Sequence, residues 1–285
     1  MQTLITAKTP ADGAQAQLWN GPAGRAWVDT QPVLDALFQP FEQLLVAAAH
    51  RGQRVLDIGC GTGSTTLALA RKVGPQGHSL GIDISEPMIA TARQRAVLER
   101  SAAHFLCGDA QTQTFEPAHF DRLVSRFGVM FFSDAAQAFT NLRRVAASDA
   151  VLHCIAWRSA AENAFMTLAE RAAASVLTLP ARQPDAPGQF AWADAQKVHG
   201  ILTESGWAGI DIQPLDVACT LPEPALLPYL TRLGPLGLAL QHTAEPMREQ
   251  VINTVRAAFE PYVQGEQVRF TAACWTITAR NSRCI

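Results

Sequence analysis

The 285-residue sequence predicts an α/β fold: a doubly wound, mostly parallel sheet of seven strands with a helical N-terminal leader and helical cap insertions. Three observations carry this expectation. Short apolar runs alternate with helical patterns from residue 54 to residue 157. The spacing between runs is that of a crossover connection. The first run closes in a glycine-rich turn. Alternation at this spacing gives parallel strands joined by helices.

Each element has a local reason. Residues 1–17 carry little pattern and read as a frayed leader. Trp19-Asn20-Gly21-Pro22-Ala23-Gly24-Arg25-Ala26-Trp27 follows, an unusual aromatic and glycine composition. From Pro32, apolar residues at Leu34, Leu37, Phe41, Leu44 or Leu45, and Ala48 fall at helical spacing, with Thr30 as a cap. Arg54–Ile58 reads as the first strand, and a helix through Leu67 and Val73 stops at Gly74-Pro75. Ser79–Ile84 is the second strand, and Ser85 caps the helix after it. His104–Cys107 and Phe120–Ser125 are the third and fourth. Val151–Trp157 is the fifth, after a helix carrying Ala138, Leu142 and Val145. The alternation then breaks. Residues 158–210 read as a helical cap with a turn-rich segment at Gln183–Gly188, residues 211–221 as a sixth strand, 222–262 as a helical insertion, and 268–279 as the last strand. The expected divisions are thus a leader at 1–50, a core at 51–157, a cap at 158–210 and closing strands at 211–285, within one domain.

Composition narrows the function classes. Lys and Arg total 23 against 25 Asp and Glu, a net charge of −2. A nucleic-acid or anionic-membrane partner needs clustered positive charge, so neither is expected. Hydrophobic residues make up 48% and charged residues 17%, ample for a core. The mean hydropathy of +0.05 points to extra apolar surface, in a greasy pocket or a homodimer interface. The N-terminus lacks the pattern of a signal peptide, and no uncharged run approaches the ~18–20 residues of a membrane span, so a cytoplasmic protein is expected. The six cysteines form no Cys-x-x-Cys pair, and no metal site is expected.

The glycine turn, Asp57-Ile58-Gly59-Cys60-Gly61-Thr62-Gly63, sits between a strand and a helix, where backbone can approach a ligand closely. A dinucleotide fingerprint requires Gly-x-Gly-x-x-Gly, and the third position here is Ser64 or Thr66. The alternative, an acid followed by Gly-x-Gly-x-Gly, suits a ligand joining an amino acid to a nucleoside. Val55–Gly63 resembles the first motif of the Rossmann-like S-adenosylmethionine-dependent methyltransferases, most closely those of the ubiquinone and menaquinone biosynthesis type. The resemblance implies that Gly59, Cys60, Gly61 and Gly63 form the cofactor loop and that Asp57 orients it and the methionyl amine. It implies that Asp83 holds the ribose, with Ile84 beside the adenine. It assigns Asp109 and Ala110 to the adenine, and Ser125 and Arg126 to the methionyl end. Trp19, Arg25 and Trp27 form either a lid, with Arg25 facing the methionine carboxylate or an acidic substrate, or a helix-anchoring turn.

The fourth strand ends in Ser-Arg-Phe-Gly, not in the Asn-Pro-Pro-Tyr or Asp-Pro-Pro-Tyr that resemblance associates with planar amine substrates. Apolar residues of the cap, among them Phe165, Met166, Tyr229, Leu230, Leu233 and Leu236, point to an apolar or aromatic small-molecule acceptor. No catalytic base stands out. His242, Tyr229 and His153 are candidates, and His199 a weaker one. The expected function is methyl transfer from S-adenosylmethionine, with S-adenosylhomocysteine as product. The alternatives are a nucleotide-sugar or nicotinamide enzyme on this fold, and a non-catalytic S-adenosylmethionine-binding partner or sensor subunit.

Overall fold

A computed structural model describes residues 13–183 and 186–282. Most of the leader expected at 1–17, the Pro184-Asp185 step of the turn-rich segment and Cys284 lie outside the described residues. The chain opens with three helices, α1 (Ala14–Asn20), α2 (Pro22–Asp29) and α3 (Gln31–Ala47). The aromatic motif is therefore helical, broken between α1 and α2 at Gly21 ahead of Pro22. Thr30 stands at the start of α3, but its hydroxyl donates back to the Ala26 carbonyl at 2.7 Å rather than capping forward.

The alternating part follows as β1 (Arg54–Ile58), α4 (Ser64–Val73), β2 (His78–Asp83), α5 (Glu86–Leu98), β3 (His104–Cys107), β4 (Phe120–Arg126), α6 (Ala135–Val145) and β5 (Ala146–Trp157). Ser85 caps α5 as expected, accepting from the Met88 amide. The cap supplies α7 (Ala164–Ala173) and α8 (Ala195–Glu204). After β6 (Ala208–Pro222) come α9 (Glu223–Arg232), α10 (Gly234–Leu240), α11 (Met247–Ala258), the short β7 (Val263–Gln264) and β8 (Gln267–Arg280).

The strands form one sheet of order β3-β2-β1-β4-β5-β8-β6, with β7 paired on β8. The sheet holds eight strands rather than seven, because the connection into β8 folds back as a tight hairpin from Val263 to Val268. β3 to β5 are parallel, and β8 runs antiparallel to both β5 and β6. Strand order runs outward from β1 to β3 and then jumps back past β1 to β4. Right-handed crossovers therefore put α4 and α5 on one face and α6 on the other.

The reversal between β1 and β4 opens a crevice at their carboxyl ends, where ligands bind in open α/β sheets. Its floor is unusually tight. A Cβ on Gly59 would meet the Gly128 Cα at 2.6 Å, and one on Gly128 would meet the Ile58 carbonyl oxygen at 2.5 Å. Gly59 also has φ +67°, a conformation that L side chains rarely adopt. The core is continuous from α3 to β8, with Phe41, Phe120, Phe139 and Phe259 fully buried. Each such side chain contributes roughly 1.5–3 kcal/mol by leaving water.

The cap shares this core. Phe165 of α7 stacks on Phe270 of β8 (3.8 Å, 5°) and meets Phe259 edge-on. The buried Asn163 side chain bonds both the amide and the carbonyl of Ala273, each at 2.9 Å, as a neighbouring strand would.

Candidate active site

A cavity of about 470 Å³ opens at the crevice, and most of the residues singled out from the sequence line it. That volume suits a drug-sized ligand. One end is built by the loops after β1, β2, β3 and β4. Parallel register aligns these strand ends, pairing Ile58 with Ile82, and Asp83 with Cys107.

Asp83 is buried at the end of β2. Its Oδ2 accepts from the Gly61 amide at 2.8 Å and its Oδ1 from the Ser85 amide at 2.9 Å. Burial raises its pKa, and these backbone donors oppose the shift. One lone pair on each oxygen is thus fixed by backbone, and the carboxylate faces the cavity in one orientation. Asp57 is also buried and accepts from Thr66 Oγ1 at 2.6 Å. Burial pushes it up to about 6, against the Thr66 hydrogen bond and the positive charge of Arg126. Asp109, after β3, accepts from the Gln111 amide at 2.9 Å and lines the cavity with Ala110, Cys60 and Ile84.

Arg126, the last residue of β4, is a cavity-lining cation without an ion pair among the described residues. Its guanidinium donates to the Phe38 carbonyl and to Ser64 Oγ. Burial lowers its pKa, while the more distant Glu42, Asp35 and Asp57 oppose that shift. The next residue, Phe127, has φ +67°. That left-handed backbone costs roughly 1–2 kcal/mol in a non-glycine residue. It is held by stacking on Trp157 (4.5 Å, 9°) and by edge contacts with Phe38 and Phe41.

The N-terminal helices close one side. Trp19 stands edge-on to both Trp27 and Phe131 at the cavity wall. Asn20 fastens these helices to the corner after β2. Its Nδ2 donates to the Ile84 carbonyl at 3.0 Å, and its Oδ1 accepts from the Glu86 amide at 2.8 Å. Ser85 Oγ donates to the Trp19 carbonyl at 2.7 Å.

Six expected site residues stand elsewhere. Arg25 is exposed on α2 and outside the cavity wall, because the helix turns it opposite the buried Gly24 and Ala26. Gly63 lies behind the loop, where a Cβ would meet Phe105 and Ala92, so it serves packing of α4. Ser125 also points away from the cavity. Its hydroxyl donates to the Ile58 carbonyl and accepts from the Gly128 amide, tying β4 to the loop. His153 bonds Thr276 between strands, and burial pushes it down to about 4. His153, His199 and His242 do not line the cavity, and the last two are exposed on the cap surface. Tyr229 does line it.

Sequence reasoning assigned no role to Asn20 or Thr65. Thr65 Oγ1 is buried at the cavity wall without a hydrogen-bond partner. Among the described residues, no cluster of His, Cys, Asp or Glu could hold a metal, and no helix is long and apolar enough to cross a membrane.

The residues fit S-adenosylmethionine. The Gly59 cradle admits a ligand against bare backbone, Thr65 Oγ1 lacks a partner, and carboxylates and Arg126 line a single crevice. Residues 55–149 match the family described as a methyltransferase domain. It is 40% identical over 105 residues to aklanonic acid methyltransferase DauC of Streptomyces sp. (strain C5), covering 35% of this chain and 47% of that one. It is 34% identical over 105 residues to the demethylmenaquinone methyltransferase of Shouchella clausii (strain KSM-K16), covering 36% and 45%. The chain thus spans about half the length of the curated relatives it matches. In fold it is similar to the YcgJ protein of Bacillus subtilis (TM-score 0.57, 18% identity, 86% of this chain and 100% of that one).

Proposed function

We propose that this protein transfers a methyl group from S-adenosylmethionine to an apolar or aromatic small molecule. The observation that carries the reading is a single cavity. Its polar end is the glycine loop with Asp83 held by backbone, and its other end is the aromatic wall of the cap.

When bound, the cofactor supplies an electrophilic methyl on a sulfonium. The chain's residues then have separable tasks. Asp83 accepts from the ribose hydroxyls with the lone pairs that Gly61 and Ser85 leave free. Asp109 accepts from the adenine amine, with the Ala110 amide beside the ring. Asp57 in its ionised form takes the methionyl ammonium. Arg126, rather than the exposed Arg25, meets the methionyl carboxylate, because it is the buried cation on this wall without an ion pair among the described residues. The Trp19 ring borders the crevice and attracts the sulfonium as aromatic faces attract other cations. The rate then comes from alignment and exclusion of water.

Calorimetric titration with S-adenosylhomocysteine tests this reading, with nicotinamide cofactors as controls. Micromolar binding of the former and none of the latter is expected. Absence of S-adenosylhomocysteine binding, after any copurified ligand has been removed, would overturn it. Methyl transfer is then read as mass gain of 14 on an aromatic acceptor panel, roughly one CH₂ per turnover.

A further inference from the structure

The face of β4 that carries Arg126 holds a second arginine deeper in the sheet. Arg122 lies roughly 13 Å back along the strand from Arg126, away from the crevice. It is 7% exposed, and its Nε is buried without a hydrogen-bond partner. Register sets its neighbours. Arg122 lies beside Val151 of β5, and Val151 beside Arg280 of β8. Two residues on, Val124 lies beside His153, and His153 beside Thr278. Alternation along the strands therefore puts Arg122, His153, Thr278 and Arg280 on one face of the sheet. The two arginine Cα atoms stand two strand spacings apart, about 10 Å, within reach of a shared ligand for side chains of this length.

This face carries positive charge without a matching negative one. Among the described residues, neither arginine forms an ion pair or a side-chain hydrogen bond. The nearest acids are engaged elsewhere. Asp121 pairs with Arg54, and Asp211, across from Thr278, accepts from Gln213. Burial, and then the charge of Arg280, lower the Arg122 pKa, and no carboxylate opposes them. The Arg122 charge also adds to the burial that keeps His153 neutral. A buried cation without a partner is strongly destabilising, so an anion that neutralises it is favoured.

The donors select the anion. A guanidinium fork matches the oxygens of a phosphate or a carboxylate. Two positive charges balance a doubly charged phosphate, whereas a monocarboxylate leaves one of them unmatched. The Thr278 hydroxyl supplies a further donor. We propose that Arg122 and Arg280 form a binding site for a phosphate group, separate from the crevice.

Calorimetry on the full chain tests this with three probes: inorganic phosphate, glycerol phosphate and acetate. Ionic strength is fixed, at about pH 8, where phosphate is doubly charged. Phosphate should bind, and acetate should not. Arg122→Leu should weaken phosphate binding at least tenfold, the scale of a lost charge-assisted hydrogen bond, and the exposed Arg280→Leu about threefold or more. Arg126→Leu, in the crevice, should leave it unchanged. Phosphate should also raise the Tm of wild type more than that of Arg122→Leu. Tighter binding of inorganic phosphate assigns the site to the free ion, and tighter binding of glycerol phosphate to a phosphorylated small molecule; both support the proposal. No phosphate binding, equal binding of acetate, or affinity that survives Arg122→Leu but is lost in Arg126→Leu would overturn it. If Arg122→Leu does not fold, Arg280→Leu at the surface carries the test, and unchanged phosphate affinity there counts against the site.

Discussion

Arg126 and Asp57 are opposite charges in one buried crevice, and each has a distinct signature. Arg126→Leu should weaken S-adenosylhomocysteine binding at least tenfold, the scale of a lost charge-assisted hydrogen bond. Adenosine, which has no carboxylate, should bind the variant as it binds wild type; equal weakening of both would deny Arg126 its assigned partner. Asp57 gives a pH profile. Its pKa of about 6 in the free protein lies above the ordinary 3.8, so a proton stays on the carboxyl until pH rises through 6. The ligand ammonium prefers the ionised form, facing Arg126 and Thr66 on one side and Asp83 and Glu42 on the other. Affinity should therefore rise about fourfold from pH 5.5 to 7.5, as the ionised fraction climbs from about a quarter to nearly one. Asp57→Asn should flatten that slope, and a slope that persists would assign it to another group. The lining by Asp57, Asp83 and Asp109 was legible in sequence because each stands at or just after the carboxyl end of a strand. The outward turn of Arg25 was not, because it depends on which face of α2 meets α5, a long-range fact.

Among the elements, the pair α1 and α2 is held to the rest by few polar contacts, and Asn20 makes two of them across 64 and 66 residues. Asn20→Ala removes both at a cost of about 1–2 kcal/mol. Trypsin should then cut faster after exposed Arg25, and S-adenosylhomocysteine should dissociate faster. Unchanged proteolysis and dissociation together would mean that the Trp19, Trp27 and Phe131 contacts alone fasten these helices. Strand β1, its glycine loop and the cap on α5 were readable locally, since period, glycine and Ser85 all lie within a few residues. The early start of β5 at Ala146 was not, because its first pairing partner is Phe120 and the register shifts before Arg122. The helical state of the aromatic motif was likewise hidden by its glycines, which lower helix propensity but are overridden here by burial.

For the whole molecule, the continuous core makes a specific claim about cooperativity. Phe165, Phe259 and Phe270 join the cap to the sheet, so far-UV and near-UV signals should lose structure in one coincident thermal transition. Two separated transitions would show that the cap melts by itself. The doubly wound class was legible from alternation, but the order of the last strands was not. Antiparallel strands carry no sequence mark of their neighbours, and β8 is placed between β5 and β6 by pairing with both. That placement bears on how the protein is made. As the chain leaves the ribosome, β5 and β6 emerge with no partner on their facing edges, and the strand that fills the gap is the last described one to be synthesised. Until it arrives, the nascent sheet exposes two open edges that invite pairing with other chains. Synthesis of β8, more than any earlier step, is the moment at which this sheet closes.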